Sequence, residues 1–188
     1  MSVLLHGSKM GHIASSAGIM AATAALSRRS FLRGKFSRPV VEPLPPWALP
    51  QALFEKACNR CDACIAACPS QIVKRGTGGF PTIDFLLGAG VCTFCGECVT
   101  ACQPRALRRE EGAAPWQLKA GINSSCLAFQ DVVCRSCGDA CGETAIRFSP
   151  RPGGAARPEL DMTRCTGCGA CVGVCPVGAM KVAGPRDI

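Results

Sequence analysis

Residues 165–176 read Cys-Thr-Gly-Cys-Gly-Ala-Cys-Val-Gly-Val-Cys-Pro, and the spacing inside this stretch governs how the rest of the chain is read. Cys165, Cys168, Cys171 and Cys175 follow the pattern C-x2-C-x2-C-x3-C. The same pattern occurs at Cys58, Cys61, Cys64 and Cys68, and again at Cys92, Cys95, Cys98 and Cys102. Pro69 and Pro176 directly follow the last cysteines of their groups, whereas the second group has Gln103 before Pro104. Disulfide frameworks vary their spacings and rarely repeat one pattern three times, so the cysteines read as metal ligands.

The spacing is the ligand pattern of [4Fe–4S] clusters in bacterial ferredoxins. Three cysteines three residues apart in a tight loop can face one cubane. The fourth, on the short helix that follows, is directed away and ligates the cluster of the partner motif. A proline after it stops further backbone hydrogen bonding. Zinc is the competing metal, but zinc knuckles need only four ligands, often with His, and no x2, x2, x3 run in triplicate. Both His residues of this chain, His6 and His12, precede its first cysteine.

A fourth group is irregular. Cys134, Cys137 and Cys141 keep the x2 and x3 intervals, but the position three before Cys134 is Asp131. The nearest upstream cysteine is Cys126, which gives C-x7-C-x2-C-x3-C. Either Cys126 arrives from an enlarged loop and completes a fourth [4Fe–4S] site, or Asp131 or solvent takes that corner and leaves a weaker or three-iron site. A carboxylate oxygen is a poorer partner than thiolate for such a cluster. The plainest alternative is a decayed motif whose cysteines pack as small hydrophobes. The expectation is three clusters by regular motif and a fourth through Cys126.

The intervening segments set the pairing. After Cys68, residues 72–84 read as short strand, Gly-rich turn (Gly76 to Gly79) and short strand. After Cys141, residues 145–161 repeat that plan around Pro152-Gly153-Gly154. Cys61 to Cys95 and Cys134 to Cys168 are both separations of 34 residues. The expected fold is α+β: two tandem dicluster bacterial-ferredoxin-like modules, cluster-stabilised, behind an extended N-terminal arm. The expected division is a basic, Pro-rich flexible arm at 1–50, module one at 51–110, a connector at 111–125 and module two at 126–188.

The crossed-ligand rule then groups Cys58, Cys61, Cys64 with Cys102, and Cys92, Cys95, Cys98 with Cys68. In the second module it groups Cys165, Cys168, Cys171 with Cys141, and Cys126, Cys134, Cys137 with Cys175. Large apolar residues are few in each module, so bound clusters are expected to supply folding energy.

The first fifty residues differ in kind. Residues 13–26 are small and mildly apolar, and fourteen residues are too short to span a bilayer. Ser27-Arg28-Arg29-Ser30-Phe31-Leu32 looks like a twin-arginine export motif, but Arg33-Gly34-Lys35 and a proline-rich tract follow where an apolar stretch is required. A cytoplasmic protein is expected, which also suits free thiols. The formal net charge of +8 invites a nucleic-acid partner, yet the basic residues form a short arm and no binding module is recognisable. Each cluster with four thiolates carries about −2 when oxidised, so four of them offset that formal balance. No nucleophile–base pair or phosphate-cradling loop is evident, so no enzyme activity is expected.

Several stretches together resemble the NapF family of ferredoxin-type accessory proteins of periplasmic nitrate reductase systems. They are Ser27-Arg28-Arg29 with Phe31-Leu32 and Gly34; Pro45-Pro46-Trp47; Arg60-Cys61-Asp62-Ala63-Cys64-Ile65; and Arg75-Gly76 through Gly79-Phe80-Pro81. The most distinctive is Cys126-Leu127-Ala128-Phe129-Gln130, which general ferredoxins lack. The resemblance implies a cytoplasmic protein that assists maturation of the nitrate reductase catalytic subunit before export, with the unexported precursor as partner. Arg28 and Arg29 are candidate contact residues for that partner. A plain electron carrier supplying a reductase and a non-redox docking scaffold are the competing readings. Residues 1–26 have no counterpart in the resemblance.

Overall fold

Two β-hairpins alternate with the cysteine loops, where the sequence places them. The computed structural model describes residues 42–184; Arg28, Arg29 and most of the expected arm lie outside these. Helix α1 (Gln51–Ala57) leads into the first cysteine loop and buries Phe54 completely. A one-turn helix α2 (Ala63–Ala66) precedes the hairpin of β1 (Val73–Arg75) and β2 (Pro81–Ile83), paired antiparallel as Val73↔Ile83 and Arg75↔Pro81. After α3 (Glu97–Thr100) come β3 (Lys119–Ile122), α4 (Ser136–Asp139), the hairpin β4 (Ile146–Arg151) and β5 (Gly154–Leu160), α5 (Ala170–Gly173) and β6 (Met180–Ala183).

The first hairpin shows why its glycines are needed. Gly78 and Gly79 turn through positive φ, which L side chains resist. At Gly76 the constraint is space: a Cβ there would strike the Glu42 carboxylate and Thr82. That carboxylate accepts from the Thr77 backbone N–H at 2.8 Å and from its hydroxyl at 3.1 Å. The Ile83 N–H donates to the Pro43 carbonyl at 2.9 Å.

Both halves close by pairing the chain before their cysteine loops with the chain after them. In the second half this is a four-residue antiparallel ladder, Lys119↔Ala183 to Ile122↔Met180. In the first it is a single bridge, Ala48↔Leu107, flanked by Leu49 N–H to Ala106 O at 3.0 Å and Arg108 N–H to Trp47 O at 2.8 Å.

Two stretches therefore fall outside the expected division. Residues 42–50, assigned to the flexible arm, are packed on the first half, with Pro45 and Trp47 buried. Proline-rich composition suggested a tether, but Pro45 and Pro46 turn Trp47 inward. Residues 119–122, assigned to the connector, form the strand that closes the second half, and Ile122 packs against its core. Their short Lys-Ala-Gly-Ile run carries little strand signal, and long-range pairing with β6 overrides it.

The two described halves also pack together within one unit. Ile72, Val73, Ile83 and Phe85 form a core cluster that takes in Trp116, Val172 and Val182. Trp116 stands edge-on to Phe85 and Phe94, while its indole N–H donates to Thr166 O at 2.8 Å. Gly169 lies so close to the Phe85 ring that no Cβ fits. Among the described residues no helix is long and apolar enough to cross a membrane.

Candidate metal centres

Each regular cysteine loop turns through left-handed backbone on both sides of its second cysteine. The pairs are Arg60 and Asp62 around Cys61, Phe94 and Gly96 around Cys95, and Gly167 and Gly169 around Cys168. Two such reversals within five residues wrap the chain into a cup. The next residues then enter a one-turn helix that buries the third cysteine: Cys64, Cys98 and Cys171. Helix α4 buries Cys137 in the same way, but its loop has neither reversal; Arg135 is at φ −133°. Instead Cys126 leads into a short 3-10 helix, Leu127–Gln130, and the single left-handed residue is Asp131.

The thiols surround four separate spaces. At site one, Cys58, Cys61, Cys64 and Cys102 line a common pocket. Site two holds Cys68, Cys92, Cys95 and Cys98 around another. Cys141, Cys165, Cys168 and Cys171 line the pocket at site three, and Cys126, Cys134, Cys137 and Cys175 the one at site four. These are the crossed groupings expected from spacing. Cys126 reaches site four, whereas the Asp131 carboxylate is turned away and accepts from Arg151 at 3.1 Å. Among the described residues, no three His, Cys, Asp or Glu side chains converge as ligands of a single ion do. Four thiols spread around a common space fit a body of several atoms.

The electrostatics also call for positive charge inside each space. Burial pushes the Cys64 thiol up to about 11, and the neighbouring charges of Cys102 and Cys58 push the same way. Cys98 and Cys171 are raised to about 12, and Cys92 and Cys137 to about 11, with burial the largest cause in every case. Bare thiolates crowded together repel one another; iron supplies the compensating charge. Cys175 is the exception. Burial raises it, but the backbone N–H groups of Val177, Met180, Ala179 and Gly178 together hold it below the ordinary value.

The sites touch in sequence. Cys64 of site one is near enough to Cys98 of site two to raise its pKa, and Cys137 of site four does the same to Cys171 of site three. Between the halves, the Cys92 N–H donates directly to the Cys168 carbonyl at 2.8 Å. Sites one to four therefore form a file, with sites two and three meeting at the junction.

Sequence reasoning missed the groups that reach the sulfurs by backbone. The Ala120 N–H donates to Cys165 Sγ at 3.4 Å, Ala145 N–H to Cys141 Sγ at 3.3 Å and Ala179 N–H to Cys175 Sγ at 3.1 Å. A backbone amide carries no residue-type signal, and Ala120 lies in the stretch read as connector. Trp47 was visible only as part of the Pro-Pro-Trp resemblance; the structure places it in the wall of site two.

Comparison with known proteins agrees with this geometry. Residues 57–107 and 132–179 each match a family described as a 4Fe-4S dicluster domain. The fold and the sites thus define a ferredoxin-type protein that carries multiple [4Fe–4S] clusters in two tandem dicluster domains. The chain is 41% identical over 154 residues to the ferredoxin-type protein NapF of Escherichia coli K12, covering 82% of this chain and 92% of that protein. It is 42% identical over 167 residues to the ferredoxin-type protein NapF of Haemophilus influenzae, covering 84% and 93%. An uncharacterized Haemophilus influenzae protein is 33% identical over 163 residues. The chain belongs to the NapF family of ferredoxin-type proteins.

Proposed function

We propose that this protein is a cytoplasmic [4Fe–4S] polyferredoxin that assists maturation of the periplasmic nitrate reductase catalytic subunit before its export. The observation that carries the cluster half of this reading is the set of four pockets, each lined by four thiols. In this reading all sixteen cysteines are iron ligands, grouped as sites one to four, and each cluster supplies a one-electron couple. The chain's own part is to hold the thiolates apart, bury one in each site on a one-turn helix, and aim backbone N–H groups at Cys141, Cys165 and Cys175.

The maturation half rests on the NapF relatives, and a reducing compartment suits sixteen thiolates kept as iron ligands and not as disulfides. Arg28 and Arg29 remain the proposed contacts with the unexported precursor. Co-purification of that precursor with this protein, compared with an Arg28→Ala, Arg29→Ala double variant, tests the partnership. Deleting the gene and assaying iron–sulfur content of the exported reductase tests the role. A fully assembled, active reductase in the deletion strain rules maturation out.

The file of sites also favours a second reading, electron supply to a reductase. Contact between sites two and three through Cys92 and Cys168 suits passage of charge along the molecule. In that case the deletion strain would contain complete reductase with impaired electron delivery.

A further inference from the structure

Among the described residues, Trp47 Nε1 is the one buried side-chain nitrogen or oxygen without a hydrogen-bond partner. Leaving a buried donor unpaired costs about 1–3 kcal/mol, so native structures seldom tolerate it without a purpose. The other tryptophan, Trp116, has its indole N–H satisfied by Thr166 O at 2.8 Å.

Nothing about Trp47 is loosely placed. Its backbone N–H donates to Pro115 O at 2.6 Å and its carbonyl accepts from Arg108 N–H at 2.8 Å. The ring meets Phe94 edge-on at 6.5 Å, and the Arg109 guanidinium lies 5.0 Å from the ring centroid. Trp47 also sits at φ 57°, a left-handed conformation that a bulky residue adopts only when its surroundings impose it. The fold thus invests strain and packing to hold this indole, yet gives its N–H no acceptor.

The side chain borders two spaces. One is an open cleft of about 1550 Å³ lined by Phe94, Arg109, Trp116 and Lys119. The other is site two, with Cys68, Cys92, Cys95 and Cys98. An atom facing the open cleft would be wetted, whereas Nε1 is shut off from solvent. The enclosed space is therefore where its acceptor belongs, and the only acceptors a cluster would bring there are sulfurs.

We propose that the Trp47 indole N–H donates a hydrogen bond to a sulfur of the cluster group at site two and so raises the reduction potential of that site. The inference rests on the reading of site two as a [4Fe–4S] site. Reduction adds an electron's negative charge, a donor dipole aimed at sulfur stabilises that charge, and hydrogen bonds to sulfur are among the determinants of cluster potential. Trp47 is a tuning residue and not an iron ligand.

The test is an anaerobic redox titration followed by electron paramagnetic resonance, with iron analysis of the same samples, on the parent and on Trp47→Phe. Phenylalanine keeps an aromatic ring beside Phe94 and Arg109 and removes the N–H. The expected result is unchanged iron and one couple shifted downward. At the parent's midpoint its reduced-to-oxidised ratio falls about tenfold, or about 59 mV for one electron, in line with a hydrogen bond to a charged group. An exchangeable-proton coupling in the reduced parent spectrum should disappear with it. Full iron with every couple unmoved overturns the proposal. A parent lacking the iron for site two would instead overturn the reading on which it rests. If Trp47→Phe loses iron, benzothienylalanine at position 47 preserves the shape without the N–H, and the same shift decides the question.

Discussion

Sites one and four are built from different loops that solve one problem with the same contacts. At site one, Arg60 stacks over Phe80 at 4.3 Å and Asp62 pairs with Arg75, tying the cysteine loop to its hairpin. At site four, Arg135 lies 5.0 Å from Phe148 and Asp131 pairs with Arg151 at 3.1 Å, again tying loop to hairpin. Asp131 stands where spacing would put a first cysteine, yet its contacts are those of Asp62. Lengthening the spacer from x2 to x7 thus relocates the first cysteine from position 131 to residue 126 and uses the vacated position as an anchor.

The largest test of this equivalence is removal of iron. Buried cysteines occupy the cores of both halves: Cys64 and Cys98 in the first, Cys137, Cys165 and Cys171 in the second. Burial holds the thiols of Cys64, Cys98, Cys137 and Cys171 in the neutral form without iron, and the spaces they line lose the atoms that fill them. Chelation under reducing conditions should abolish most far-ultraviolet dichroism from both halves together. Retention of β3–β6 protection in hydrogen exchange, with none around the Ala48–Leu107 bridge, would show that the four-residue ladder holds the second half without metal and would break the equivalence.

Exchange of the two anchors' roles gives the next effect. Cys126→Ser should release about a quarter of the bound iron, because one of four equivalent sites loses a thiolate. Asp131→Asn should retain all of it and only loosen the loop against β4. The reverse outcome, iron lost with Asp131→Asn and kept with Cys126→Ser, would make Asp131 the ligand.

Cysteine spacing made the twelve regular positions and their crossed grouping legible in the sequence, because a rigid multi-atom body imposes its own intervals on the chain, and the Gly-rich turns at 76–79 and 152–154 made both hairpins legible. Site four was legible less directly, with Cys126 preferred over Asp131, solvent or a decayed motif, since an insertion hides which residue returns to the corner. The closing strands were not legible. Ala48, Leu107 and the Lys119–Ile122 run pair across long separations, and their local sequence shows neither alternation nor turn signals. The packing of the halves was missed for a related reason. Gly169 reads as one more loop glycine until Phe85 is seen filling the space its side chain would take.

That glycine separates a junction from a turn. Gly169 has φ +89° and abuts the Phe85 ring, whereas Gly153 has φ +70° and open space around it. Alanine at 153 pays only for left-handed backbone, about 1 kcal/mol. Alanine at 169 adds overpacking between the halves, for a total of about 3 kcal/mol. Denaturation of the iron-loaded variants measures both. Equal losses would mean that Phe85 moves aside freely and that the halves are not firmly seated on each other.

The smallest effect comes from matched carboxylates that end the two hairpins. The Asp84 N–H donates to Ile72 O and the Asp161 N–H to Ala145 O, both at 2.8 Å, so the residues are equivalent in the two halves. Each carboxyl is held below the ordinary value of 3.8, but by different partners. For Asp84 the main cause is the Lys74 ammonium at 2.7 Å; for Asp161 it is the Thr163 hydroxyl at 2.6 Å. A lowered folded-state pKa gives stability that is present above the unfolded value and lost as pH falls through the folded one. Asp84→Asn and Asp161→Asn should therefore cost a constant, small amount from neutral pH down to about 4, and progressively less below it. Salt breaks the symmetry, because it screens the exposed ion pair and leaves a neutral hydroxyl donor nearly unaffected. Thermal denaturation at low and high ionic strength should narrow the gap between Asp84→Asn and the parent while leaving the Asp161→Asn gap in place. A gap at Asp84 that ignores salt would transfer its stabilisation from Lys74 to the Leu86 N–H, which donates to the same carboxylate at 2.9 Å, and would make the two hairpin ends alike in mechanism as well as position.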